Sequence, residues 1–166
     1  MSRGFVKESD QEELPIVPPR AHLPAGTVNY VTQVGYDELL EERDQLIAER
    51  ENVAISDDNE RRIAVNFLTA KLQLLNERIA TAKIIKLADQ PQDEVRFGAT
   101  VSLLPDGQKK TETYQIVGVD EANIAKRKIS FISPIAKILI NKKAGDQAVL
   151  QLGNNQKRFT IEKISY

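Results

Sequence analysis

Between Gly35 and Leu87 the apolar positions recur at helical spacing in two flanks, separated by a short polar centre. In the first flank Tyr36, Leu39, Leu40, Leu46, Ile47 and Val53 fall on one stripe. In the second, Val65, Leu68, Leu72, Leu75, Ile79 and Ala82 alternate in steps of three and four. Such steps hold side chains on one face of an α-helix, and two such faces bury each other when helices pack seam to seam. Neither flank contains Pro or Gly after Gly35. The centre, ISDDNE, has room only for a reversal, so the pattern predicts an antiparallel helical hairpin with Asp57, Asp58 and Glu60 at its tip. Thr32 is a candidate N-cap for the first helix, although this puts Gly35 inside the first turn and leaves the start open by a few residues. Ser56 or Asp57 is a candidate cap for the second, with Glu60 following as in a capping box.

Past the polar segment ADQPQDE, at 88–94, the period changes to two. VRFGATVSLL alternates up to the turn PDGQ, and TETYQIVGV and RKISFI are further strand candidates. SPIAKILINK then starts a short helix, with Ser133 as N-cap and Pro134 at the first helical position. AVLQLG, NNQ and KRFTIEKISY close the chain as a hairpin. The fold class expected is α+β: an N-terminal antiparallel α-helical coiled-coil hairpin over 34–88, then over 89–166 a small, mostly antiparallel sheet domain with one short helix. Residues 1–33 carry four prolines, several acids and no sustained period, so they read as a Pro-rich extended arm. Phe5, Leu14, Ile16, Val17, Leu23, Val28 and Tyr30 are numerous for a linker, which points to docking of its later part on the body or on a partner.

Length and composition allow one large domain or two small ones: 166 residues, 41% of them apolar. The net charge of −1 speaks against simple polyanion binding by the whole chain. Its distribution is uneven: Lys and Arg against Asp and Glu number 8 to 11 over 35–87 but 12 to 9 over 88–166. An acidic rod beside a basic domain suits a protein partner better than free nucleic acid. Without cysteine there are no disulfides or thiolate metal sites, and the single His22 excludes a multi-His site. No apolar run is long enough for a membrane span or a signal peptide, so a cytoplasmic chain without a membrane partner is expected. A monomer is expected as well.

The acidic tip has two readings. Acids at a helix N-terminus complement the macrodipole and cap unpaired amides. Capping needs one or two, however, and here there are three. Carboxylates on an exposed tip also suit a hard cation such as Mg²⁺, held weakly unless a partner supplies further ligands. The basic residues of the coil, among them Arg43 and Arg50, pair ordinarily with Glu41, Glu42, Glu49, Glu51 and Glu77. Arg61 and Arg62, directly beside the acids, are the exceptions to watch.

The series FGATVSLL, YQIVGVDEAN, SPIAKILINKKAGDQAVLQ and RFTIEKISY resembles bacterial Gre-type transcript cleavage factors, in order, over roughly 34–166 with the hairpin included. The resemblance implies a coiled coil joined to an FKBP-like domain. It implies a bacterial RNA polymerase as partner, with the domain docked at the rim of the secondary channel and nascent RNA met only indirectly, within the elongation complex. It further implies an accessory factor rather than an enzyme, whose tip donates acids that share a Mg²⁺ with the polymerase to cleave backtracked RNA. The family's Asp-x-x-Glu falls on Asp57 and Glu60, with Asp58 as an extra acid, and Arg61-Arg62 replaces the Asn-Ala that usually follows. Its polymerase-binding segments fall on Asp120 and Glu121 and on Ser133 and Pro134, with Ile135 nearby. Each coil helix is expected to be shorter than the family's by on the order of 10 Å at 1.5 Å per residue. That keeps a second reading in play, a channel-occupying regulator without cleavage. A third, a peptidyl-prolyl isomerase, rests on fold analogy alone and has only Phe97, Tyr114, Phe131, Phe159 and Tyr166 for an aromatic pocket.

Overall fold

Thr32 starts the first helix in the computed structural model, which describes residues 14–166. Its hydroxyl accepts a hydrogen bond from the Gly35 amide at 2.9 Å, so helix α1 runs Gln33–Glu51 with Gly35 in its first turn. Helix α2, Asp58–Thr81, starts at the cap residue Asp57, whose Oδ1 accepts from the Glu60 amide at 2.9 Å. The two helices pack antiparallel over Leu39, Leu46, Leu68, Leu72 and Leu75, all buried, with Tyr36, Ile47, Phe67 and Ile79 at the margins. Burying side chains of this kind stabilises by roughly 1.5–3 kcal/mol each, so the seam rather than helix propensity holds the hairpin together.

The apolar stripe continues to Ala82 and beyond, but the helix does not. Ala82 turns extended, and Ala82–Ile84 (β2) pairs in parallel with Asn29–Val31 (β1) at the end of the arm. The β-branched Ile84 suits a strand, and the pairing places Val31 in the coil core. Parallel strands need a long crossover, and here the whole hairpin is that crossover. The chain therefore leaves and re-enters the coil at one end. Over residues 14–28 the arm forms no helix or strand, and its later part lies against the body; Phe5 lies outside the described residues.

After a 3₁₀ turn at Leu87–Asp89 the chain enters a five-stranded sheet. Its strands are β3 (Thr100–Pro105), β4 (Glu112–Val117), β5 (Lys128–Ser130), β6 (Gln147–Leu152) and β7 (Asn155–Ser165), in the spatial order β5-β4-β3-β7-β6. Only β4 and β5 run parallel; the other neighbours are antiparallel, and a register shift between Ser102 and Leu103 bends β3 against β7. Helix α3 (Pro134–Leu139), capped by Ser133 with Pro134 at its first position, covers one face. Val101, Leu103, Ile116, Leu139, Phe159 and Ile161 are fully buried there. The segment before β3 is tied down rather than loose. The Tyr166 hydroxyl donates to the Glu94 carbonyl at 2.6 Å and accepts from the Arg96 amide at 2.8 Å, and burial pushes this phenol's pKa up. Among the described residues no helix is long and apolar enough to cross a membrane.

Candidate functional site at the coil tip, and the joint at its base

The tip is built by the start of α2. Asp57, Asp58, Asn59, Glu60, Arg61 and Arg62 are all exposed within one and a half turns of sequence. Asp57 has one carboxylate oxygen on the Glu60 amide, satisfying an amide that the helix leaves unpaired. Asp58 pairs with Arg61, whose guanidinium also reaches the Ile55 carbonyl at 3.5 Å and so closes the loop. Arg62 donates to Asn59 Oδ1 at 3.1 Å. The Glu60 carboxylate, in contrast, takes no hydrogen bond or ion pair from the described residues. Among those residues no group of three or more His, Cys, Asp or Glu side chains is arranged to hold a metal ion. The second oxygen of Asp57 and the Glu60 carboxylate are oxygen donors of the kind a hard cation such as Mg²⁺ takes, one or two at a time, while keeping its waters.

The other candidate acids are placed oppositely. Asp120 and Glu121 lie in the β4–β5 connection and face the base of the coil. The Asp120 side chain, 8% exposed, takes Arg20 Nε from the arm at 3.0 Å and has Arg78 Nε from α2 3.0 Å from its other oxygen. The Arg78 contact is an ion pair without hydrogen-bond alignment. Glu121, 7% exposed, accepts from the Thr32 hydroxyl at 2.6 Å and from Lys128 Nζ at 2.8 Å. Thr32 thus caps α1 and anchors it to the globular domain with the same oxygen. Two glycines make the approach possible. A Cβ on Gly35 would come within 2.5 Å of the Glu121 carboxylate, and one on Gly118 within 2.6 Å of the Tyr30 carbonyl. Gly in a helix costs about 1 kcal/mol relative to Ala, and at Gly35 that cost is set by the packing. Ser133 is half-buried in its capping role, Pro134 is exposed, and Ile135 packs half-buried on the sheet core.

Several residues of this joint carried no local signal. Arg20 binds Glu42 of α1 with two parallel hydrogen bonds of 2.8 and 2.9 Å, a geometry that only a planar guanidinium provides. Those bonds to Glu42 first, and then the charge of Asp120, raise the Arg20 pKa against the opposing effect of burial. Tyr30 meets Phe97 tilted and Phe131 edge-on, with ring centroids 5.6–5.8 Å apart among the three. The partners lie 22 to 101 residues apart in sequence, a separation that only folding closes.

A helical hairpin with an acidic tip, joined to a small α+β domain, is the plan of a coil-bearing protein of two parts. The profile of the C-terminal part of the GreA/GreB transcription elongation factors matches residues 90–166. Transcription elongation factor GreA of Pelobacter propionicus is 34% identical over 151 residues, covering 82% of this chain and 96% of that protein. GreA of Maricaulis maris is 37% identical over 100 residues, and GreA of Halorhodospira halophila 39% over 102. In these two the match spans 60% and 61% of this chain, and 64% and 65% of the relative's length. The chain belongs to the GreA/GreB family of transcription elongation factors. The solved GreA/GreB factor of Nitrosomonas europaea aligns over 82% of this chain and 98% of its own, at 17% identity and a TM-score of 0.42, too low to add to that assignment.

Proposed function

We propose that the chain is an accessory factor of bacterial RNA polymerase that stimulates cleavage of backtracked RNA without being an enzyme itself. The globular domain docks at the rim of the secondary channel, with Ser133, Pro134 and Ile135 at the contact, and the coil enters. Asp57 and Glu60, with Asp58 beside them, are donated to the polymerase site. The observation that carries this reading is the exposed Glu60 carboxylate, unpartnered among the described residues, at the far end of a rod whose 24-residue helix α2 is about 36 Å long at 1.5 Å per residue. Asp57 and Glu60 would help to hold a Mg²⁺ ion shared with the polymerase, which would supply Lewis acidity and an activated water for attack on the RNA phosphodiester. The tip does the rest: Glu60 offers a free carboxylate, Asp57 the oxygen its cap leaves over, and Arg61 holds Asp58 back until a stronger cation competes for it.

Cleavage in backtracked elongation complexes assembled with the cognate polymerase and Mg²⁺ tests this. Wild type should stimulate cleavage, and Asp57→Ala/Asp58→Ala/Glu60→Ala should bind equally well and stimulate at least tenfold less. Equal stimulation by both would overturn the reading. A second reading, occupation of the channel without cleavage, is favoured by one observation: Asp57 and Asp58 are each engaged in a local bond at the tip. It predicts that wild type and triple variant slow elongation alike and that neither stimulates cleavage. Nothing favours an isomerase pocket, since Phe97 and Phe131 are packed with Tyr30 and Phe159 is fully buried.

A further inference from the structure

We propose that Arg20 is a positioning residue for the coil tip, the pin of a strap (residues 20–31) that fixes the angle between coil and globular domain. The contacts form a closed ring through three parts of the chain. Arg20 of the arm grips Glu42 of α1 and Asp120 of the globular domain. Asp120 meets Arg78 of α2, and Arg78 Nη2 returns to the arm at the Ala21 carbonyl, 2.5 Å away. Further along the strap, Asn29 Nδ2 donates to the Arg78 carbonyl at 3.0 Å, and Tyr30 reaches across to Phe97 and Phe131. Thr32 and Glu121 join the base of α1 to the domain, and Arg78 of α2 meets Asp120 close by in an ion pair without hydrogen-bond alignment. Arg20 adds a hydrogen-bonded point ten residues further along α1 at Glu42, and separated points define a direction.

The lever makes that direction matter. For a rod of about 36 Å, a swing of about 10° at the base carries the tip about 6 Å. A Mg²⁺ ligand must sit about 2 Å from its ion, so such a swing removes the tip acids from any shared ion. Lysine replaces the pin only in part, because one ammonium keeps the charge but does not reproduce the fork that holds Glu42 through two nitrogens and Asp120 through the third. The strap itself stands on the contacts above; its consequence for RNA cleavage rests on the function proposed in the preceding subsection.

The chain has no cysteine, so introduced thiols are the only ones to label. Spin labels at Ser56→Cys near the tip and Lys109→Cys in the exposed β3–β4 turn report the angle by pulsed electron paramagnetic resonance, without polymerase. The parent should give one narrow distance distribution. Arg20→Ala should at least double its width, and Arg20→Lys should fall between, while far-ultraviolet circular dichroism confirms that both fold. Glu42→Gln, which leaves Arg20 and Asp120 intact, should broaden the distribution less than Arg20→Ala. Superimposable distributions for parent and Arg20→Ala would overturn the strap. In the cleavage assay, Arg20→Ala should lower the maximal rate at saturating factor at least fivefold without weakening polymerase binding, with partial rescue by Arg20→Lys. A broadened distribution with a maximal rate equal to that of a cleavage-stimulating parent would overturn the positioning role, whereas a parent that stimulates no cleavage would overturn the proposed function and leave the strap to stand on the distance distributions.

Discussion

The tip and the joint are both built around adjacent acids, yet they use them in opposite ways. Asp57, Asp58 and Glu60 are exposed, and the bonds that two of them make close within three residues of sequence. Asp120 and Glu121 are shielded, and their partners come from the arm, α1, α2 and β5. A carboxylate in water exchanges partners at little cost, whereas one removed from water is committed to the groups that replace its hydration. The tip therefore has donors to offer, and the joint has none to spare without loosening the coil. In this chain Asp120 and Glu121, which the resemblance to Gre factors places against the polymerase, have partners within the fold and join coil and domain.

Substitutions at the two places should separate accordingly. The largest loss is expected for Glu121→Ala, which strands the Thr32 hydroxyl and the Lys128 ammonium; about 2–3 kcal/mol should be lost in urea unfolding, below the upper range for broken buried pairs because Lys128 reaches water. Gly118→Ala comes next, at about 1–3 kcal/mol, because the added methyl meets the backbone of Tyr30 rather than a side chain that can move aside. A melting temperature within a degree of the parent for either would show that the joint yields more easily than its packing implies. Asp57→Ala should cost about 1 kcal/mol, the value of an N-cap. Asp58→Ala should cost less than about 0.5 kcal/mol, since its pair with Arg61 is exposed. If Asp58→Ala proved as costly as Glu121→Ala, the contrast between tip and joint would collapse.

The same contrast explains what could be read from the chain. Thr32, Asp57 and Ser133 act on their own helices through bonds within three residues, so side-chain chemistry and spacing marked them as candidate caps, Asp57 alongside Ser56, and marked Pro134 as a first helical residue. The heptad stripe marked Leu68, Leu72 and Leu75 as core. The parallel pairing of β1 with β2 was not legible, because Ala82–Ile84 continues an apolar helical stripe and its partner lies 53 residues upstream. The ring through Arg20, Glu42, Arg78 and Asp120 was equally hidden: each is an ordinary charged residue in sequence, and their association depends on how the arm crosses the coil. Gly35 left a trace, as a glycine where a helix would prefer alanine, but its reason is the Glu121 carboxylate 86 residues away.

Glu60 is where the tip acids stand or fall as donors, because its carboxylate makes no bond that the fold requires among the described residues. The direct measurement is the RNA cleavage rate of Glu60→Ala in backtracked complexes, taken with its affinity for the polymerase. Unchanged affinity and stability with at least a tenfold lower rate is the outcome expected of a donated ligand. A rate equal to that of the wild type, at equal occupancy, would contradict the account and leave the acidic tip as the cap of a helix that only fills the channel.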